Sequence, residues 1–293
     1  MLSILVVSGL ANGLLYALIA LGIVILAKAS GAVNFAHGDL ATLGAFLTYT
    51  ITVAAAFGGE VALLAVIIAA VVVGAVIFGV LRRLLEPQYS ASLLIATIGV
   101  SFVCRGCMRF IWGGKGDYLA VPPLTTQPPL IFADGAIILP SQQLVIMAGA
   151  AIILILFSLF FRYTRIGLFM RAVADNPRAA HIVGIPGKLV LCAAFILSIG
   201  AAMVAGALLA PTTLVYPDLG FPLFIKGFAA ATLGGIASLP GAVVGGLLIG
   251  LLESMVGGYI STHLQELSTY IVIFCTLLFL PAGLFATKRK REV

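Results

Sequence analysis

Eight long apolar blocks fill this chain, at about residues 3–27, 33–57, 61–81, 91–112, 141–161, 189–210, 222–257 and 266–286. Their hydrophobic residues run on continuously, without the short alternating segments of a transmembrane barrel. Most are near the ~20 residues that carry a helix across a bilayer core. The pattern predicts an all-α, polytopic helical membrane protein whose single transmembrane domain spans residues 1–293. Block 222–257 is too long for one pass and is interrupted by "GGIASLPG" at 234–241. It is read as a broken helical hairpin, two short helices joined at a Gly/Pro turn. With each half shorter than a bilayer core, the turn is expected inside the membrane or close to its inner face. There Gly234, Gly235, Ser238 and Pro240 must be enclosed by protein or line a translocation path.

Composition strengthens this picture. The chain is 62% hydrophobic and 9% charged, more apolar surface than a soluble domain of 293 residues can hide. The first block lacks a basic leader and exceeds the 7–15 apolar residues of a signal peptide, so it is read as a retained helix despite Ala27-Lys28-Ala29 resembling a cleavage site. Charge then sets orientation. Lys28, Arg82–Arg83, Arg162, Arg165, Arg171, Arg178, Lys188 and the run Lys288–Arg291 fall at alternate block ends. Placing them in the cytoplasm obeys the positive-inside rule and leaves Glu60, Asp117, Asp134, Asp218 and Glu266 outside against a lone Lys115. The amino terminus is predicted outside and the carboxyl terminus cytoplasmic. The net charge of +6 is thus a topology signal, with the basic tail touching anionic membrane lipid, and nucleic-acid binding is not expected.

Candidate chemistry is sparse. "GIPGKL" at 184–189 lacks the first glycine of a phosphate loop and has Leu189 where Ser or Thr must hold magnesium. No HExxH, G-x-S-x-G or paired-carboxylate spacing occurs, so the chain is read as a non-enzyme that binds no cofactor and no metal. Cys104 and Cys107 form a C-x-x-C without further ligands at metal spacing and are read as buried small side chains.

Four polar features stand out. Asn34, His37 and Asp39 enter a helix near the cytoplasmic side, either as a capped start, with Asn34 as N-cap, or as groups facing a cavity. Asn12 and Tyr16 share a helix face beside Gly9 and Gly13, which suits either close helix packing or a pore-facing pair. Glu253, near the outer end of its helix, is explained as well by interfacial capping or solvation as by a function. Arg109 reaches the outer interface, and Arg105, deeper on the same face, needs a partner that the sequence does not name.

The segment "RAVADNPRAAHIVGI", 171–185, is a polar island between two apolar blocks. Asn176 and Pro177 suit the cap and first turn of a helix, and Gly184 suits its exit. Arg171, Asp175 and Arg178 give it a charged face, and Ala179, Ala180, Val183 and Ile185 an apolar knob. A short cytoplasmic helix that docks a partner protein fits this pattern, as does a basic loop held by anionic lipid.

At these residues the sequence resembles the LivH family of permeases from branched-chain amino-acid ABC importers. "GLLYALIALG", "VNFAHGDLATLGAF", "LGGIASLPGAVVGGLLIGLLES" and the closing "LLFLPAGLF" match other recurring stretches, in order, over nearly the whole chain. Ala237 and His181 depart from the commoner residues, and the loop 113–140 matches poorly. The resemblance implies a multi-pass bacterial inner-membrane subunit working with a second homologous permease. Two cytoplasmic ATPase subunits, using ATP and magnesium, and an extracytoplasmic substrate-binding protein complete the implied importer. Residues 162–188 would then be its ATPase-coupling segment. Urea, short amides and other amino acids compete with leucine, isoleucine and valine as substrate. The residues alone also leave open an ion-coupled secondary transporter with Asp39, His37 or Glu253 as a proton relay.

Overall fold

The computed structural model describes residues 2–85, 90–113, 118–125, 127–132, 137–236 and 238–285. Lys115, Asp117, Asp134, Ala237 and the basic run 288–291 lie outside them. The described chain folds into eleven α-helices: α1 (Leu2–Ser30), α2 (His37–Tyr49), α3 (Gly59–Leu81), α4 (Ser90–Trp112), α5 (Ser141–Tyr163), α6 (Arg165–Asp175), α7 (Pro177–Ile182), α8 (Gly187–Leu209), α9 (Gly220–Gly234), α10 (Leu239–Tyr259) and α11 (Thr262–Phe279). The only described strands, Leu130–Phe132 and Ile137–Leu139, pair antiparallel with Leu130 opposite Leu139. The connection before α5 also touches that before α9, through a bridge between Leu119 and Val215.

Among the described residues, seven helices are long and apolar enough to cross a membrane. Their burial sorts them into a core and a rim. The most apolar window of α1 is 78% buried, whereas that of α5 is only 11% buried. Around α1 and α8 stand α2, α9 and α10, with α3, α4, α5 and α11 outside. On α3 the buried residues Ala62, Val66, Ala70, Gly74, Ile77 and Leu81 recur every three or four positions, a single stripe facing α8. The opposite face leaves Ile68, Val72, Val76 and Val80 more than half exposed. Phe102 and Phe110 on α4 and Phe274 on α11 are exposed in the same way. So much outward-facing apolar surface is stable only against lipid, and the protein is a multi-pass membrane protein.

Two blocks differ from their expected form. Block 33–57 is not a full span: α2 has 13 residues, followed by one π-turn at Thr50–Ala54, and lies enclosed by neighbouring helices. Block 222–257 is not two short halves, since α10 has 21 residues and is long enough to cross alone, while α9 has 15. The turn between them therefore sits at one end of a full span and not at mid-membrane.

Small residues let the core helices approach. Gly9 and Gly13 of α1 lie against α10 at Leu251 and Leu247, and Gly246 and Gly250 of α10 answer them at Ala17 and Gly13. Where α2 crosses α8, Gly44 lies under the Met203 carbonyl and Gly206 under that of Ala41. A side chain at either would overlap a backbone oxygen. Lipid supplies no hydrophobic force between helices, so this close contact is a main source of their attraction.

Candidate functional site

The island at 171–185 folds as an elbow. Helix α6 buries Gly167 and Met170, with Ile166, Phe169 and Val173 packed on the main core, and turns Arg171 and Asp175 outward. Asn176 then leaves helical geometry, and its Oδ1 accepts from the Ala179 amide at 3.0 Å, with Pro177 following at the first helical position of α7. Gly184, at φ +83°, ends the element. The Ile185 amide donates to Ala180 and the Gly184 amide to His181, the paired bonds of a Schellman motif. Every cap comes from within a few residues, so the elbow's shape is local. The apolar knob differs from expectation at one position: Ala180 is 4% exposed and packs inward, while Ile182 (84%) and Val183 (75%) stand out beside exposed Arg178 and Ala179. In a helix this short, Ala180 and Ile182 point to different sides, and only Ile185 of the remaining knob residues is half-buried.

A polar seam joins α2 to α4. Asp39 is 1% exposed, accepts from Arg105 Nε at 2.6 Å and also from the Ser101 hydroxyl. Arg105 Nη1 reaches Asp218 at 3.7 Å, and Arg109 Nη2 donates to the same carboxylate at 2.7 Å. Leu93, Thr97, Ser101, Arg105, Met108 and Trp112 fall on one face of α4 at steps of three or four. The Phe35 amide donates to Thr97 at 3.3 Å and the Trp112 indole to Thr50 at 2.8 Å, so polar contacts hold much of this helix to the bundle. Arg105 thus has its partner, and Arg109 is paired as well as exposed. Cys104 and Cys107 are free thiols, and Cys107 is exposed, not buried.

Asn34 does not cap α2. Ala36 holds that position, and Asn34 Oδ1 instead accepts from the Ala36 amide at 3.0 Å in a turn just ahead of the helix. His37 is fully buried against Gly22, with Nδ1 3.4 Å from the Ser198 hydroxyl. Asn34 Nδ2 and His37 Nε2 are buried with no hydrogen-bond partner among the described residues.

The α9–α10 turn is filled by protein. Gly235, at φ +99°, ends α9 in a conformation that side chains disfavour, and Ser238 Oγ caps α10 by accepting from Gly241 at 3.1 Å, ahead of Pro240. The carbonyls of Leu233 and Gly234, left free by the helix end, accept from Leu284 and Phe285. Gly283 lies directly against Gly235. The closing segment thus seals the turn, and Gly234 and Gly235 are buried while Pro240 is exposed.

Asn12 and Tyr16 line a cavity of about 400 Å³ walled by α1, α5, α8, α9, α10 and α11. Within it, Lys226 Nζ donates to Glu253 Oε1 at 2.5 Å and to the Tyr16 hydroxyl at 3.3 Å. Glu253 is 2% exposed, so it is an internal group and not an interfacial one. Lys226 escapes a reading by blocks because it is one cation in an apolar run. The signal was present even so, since an ionisable residue inside a membrane segment marks a site by default.

Known proteins resemble this chain over nearly its whole length. The chain is 29% identical to the high-affinity branched-chain amino acid transport permease LivH of Escherichia coli K12, over 98% of this chain and 96% of that protein. It is 28% identical to the corresponding BraD of Pseudomonas aeruginosa, with the same coverage. The solved PsaBC of Streptococcus pneumoniae in complex with Fab shares the fold, with a TM-score of 0.53, 13% identity, and coverage of 95% of this chain and 92% of that one. The family model described as the permease component of the branched-chain amino acid transport system matches residues 5–280, and the chain belongs to that family.

Proposed function

We propose that this chain is a membrane-spanning permease subunit of an ATP-binding-cassette importer for branched-chain or related amino acids. It works with a second homologous permease, two cytoplasmic ATPase subunits that use ATP and magnesium, and an extracytoplasmic binding protein. The α6–α7 elbow is the single observation that carries the reading. It is capped at both ends and rooted in the bundle through Met170 and Ala180, and it presents Arg171, Arg178, Ile182 and Val183 outward. An element stiff on one side and adhesive on the other transmits a push, and ATP-driven movement of a partner would reach the core helices through α6. Ion coupling fits the polar seam less well, because the Asp39 carboxylate is already held by Arg105 and Ser101.

The test separates the two sides of the elbow. Ile182→Asp and Arg178→Glu should leave the permease folded but cut ATPase association and reconstituted uptake by about tenfold or more, as loss of a docking anchor does. Ala180→Asp should instead lower the amount of folded permease, because it buries an unpaired charge. Wild-type uptake and ATPase recovery in both outward variants would exclude the elbow as the coupling element.

Orientation follows from the charge pattern. A reporter fused after Arg291 is expected to read cytoplasmic. A single cysteine replacing Glu266 in a cysteine-free chain is expected to react from outside intact cells. Reaction only after permeabilisation would invert the topology.

A further inference from the structure

The charged cavity beside Asn12 and Tyr16 is not explained by folding. Lys226 and Glu253 have side-chain exposures of 18% and 3%. Withdrawing such a pair from water costs about as much as its attraction returns, so it is weak support for stability, and apolar residues would serve the fold as well. The pair is also incompletely satisfied. Glu253 Oε1 accepts from Lys226 and from Gln265 at 3.2 Å, but Oε2 is buried with no partner among the described residues. Gln143 Oε1, on the same cavity wall, is likewise buried and unpartnered. An ammonium has three donor hydrogens, and two of those of Lys226 are used.

The cavity is therefore lined by two residues with unused acceptors, both covered until their side chains turn, and by an unused cationic donor, within one space of a size typical of small-molecule sites. Ile146, Leu209 and Leu223 supply an apolar wall, and exposed Thr212 and Glu266 mark its mouth. A single ion would satisfy one sign of charge and oppose the other. A neutral molecule with no charges would leave the pair unchanged. A zwitterion meets both signs without altering the net charge of the site.

We infer that this cavity is an acceptor site for the zwitterionic head of an amino acid, an inference that rests on the amino-acid reading above. The α-carboxylate binds Lys226, the α-ammonium donates to Glu253 Oε2 and Gln143 Oε1, and the aliphatic side chain lies on the wall of Ile146, Leu209 and Leu223. Substrate leaving the binding protein would meet these charges before entering the bundle.

The experiment uses the assembled importer in proteoliposomes, with Thr213, a half-buried residue on the cavity wall, replaced by cysteine in a cysteine-free chain. A small charged thiol reagent reports access. Millimolar L-leucine is expected to slow modification about tenfold, as it would with about nine-tenths of the sites occupied. Its amine, 3-methylbutylamine, and its deaminated acid, 4-methylpentanoate, are expected to give little protection. Glu253→Gln and Lys226→Met should abolish the protection by leucine in complexes that elute at the wild-type volume. The site assignment is overturned if leucine does not protect, if either analogue protects equally, or if protection survives both substitutions. The analogue comparison leaves the ion pair untouched, so it decides the matter even if those variants do not assemble. Absence of uptake of leucine and of every other amino acid by the wild-type importer would instead refute the amino-acid reading, whereas leucine uptake without protection refutes the cavity alone.

Discussion

Asp39→Ala is expected to destabilise the permease by about 3 kcal/mol, because it strands Arg105 at a partly buried position without its closest anion. Asp39 is 1% exposed and takes both the Arg105 and Ser101 hydrogen bonds, so alanine also removes an acceptor from Ser101, which is 7% exposed. Asp218 does not replace it, since it lies 3.7 Å from Arg105 and is already engaged at 2.7 Å by Arg109. Adding Arg105→Leu should therefore recover much of the loss, leaving the Asp218–Arg109 pair intact. Asp39→Asn, which keeps the shape and one acceptor, should fall between wild type and alanine. Unfolding titrations of the purified protein in detergent would measure all four. A single alanine variant as stable as wild type would show that the seam contributes nothing to stability, and a double variant no better than the single would show that a stranded Arg105 is not the cause of the loss.

A valine at Gly206 is expected to leave little folded protein. Its side chain would enter the space of the Ala41 carbonyl on α2, and a backbone oxygen inside a helix cannot swing aside as a flexible side chain can. The helices must separate, which also removes the reciprocal contact between Gly44 and Met203. Overpacking of this kind costs roughly 3 kcal/mol, and the β-branch leaves few rotamers with which to escape. Gly200→Val, on the same helix, is the control: an added carbon there meets only the Ala70 methyl at 4.0 Å, and the variant should stay within about 1 kcal/mol of wild type. Fluorescence-detected size exclusion distinguishes them, and equal folded yields for the two variants would mean that the α2–α8 crossing is looser than its geometry.

These two sites differ in how far the sequence reaches. Asp39 and Arg105 were each identifiable as ionisable groups in apolar blocks, but 66 positions separate them and no local pattern pairs them. Lys226 and Glu253 meet across the α9–α10 turn, and their cavity needs α1 and α11 as well. The elbow is the opposite case. Asn176 to Ala179 and Ala180 to Ile185 are bonds between near neighbours, fixed by an Asx cap, a proline and a glycine in series. Even there, which small residue faced inward depended on where α6 set α7 against the bundle, and Ala180 turned in while Ile182 turned out.

The solvent, the helical class and nearly every long span follow from the order of residues alone, because a backbone in lipid must satisfy its hydrogen bonds internally and apolar length measures the bilayer. So do the caps of the elbow, which are closed within a turn of helix. Only the tertiary structure decided that α2 is a short enclosed helix, although its block is as apolar as a span. Only it decided that α10 is long enough to cross alone, that the closing segment seals the turn before it, and that two buried carboxylates, Asp39 and Glu253, each meet a partly buried cation in separate places. Hydropathy measures how much a segment prefers lipid to water, and protein interior and lipid are equally apolar. Which of the two surrounds a given helix is settled by contacts between residues far apart in the chain.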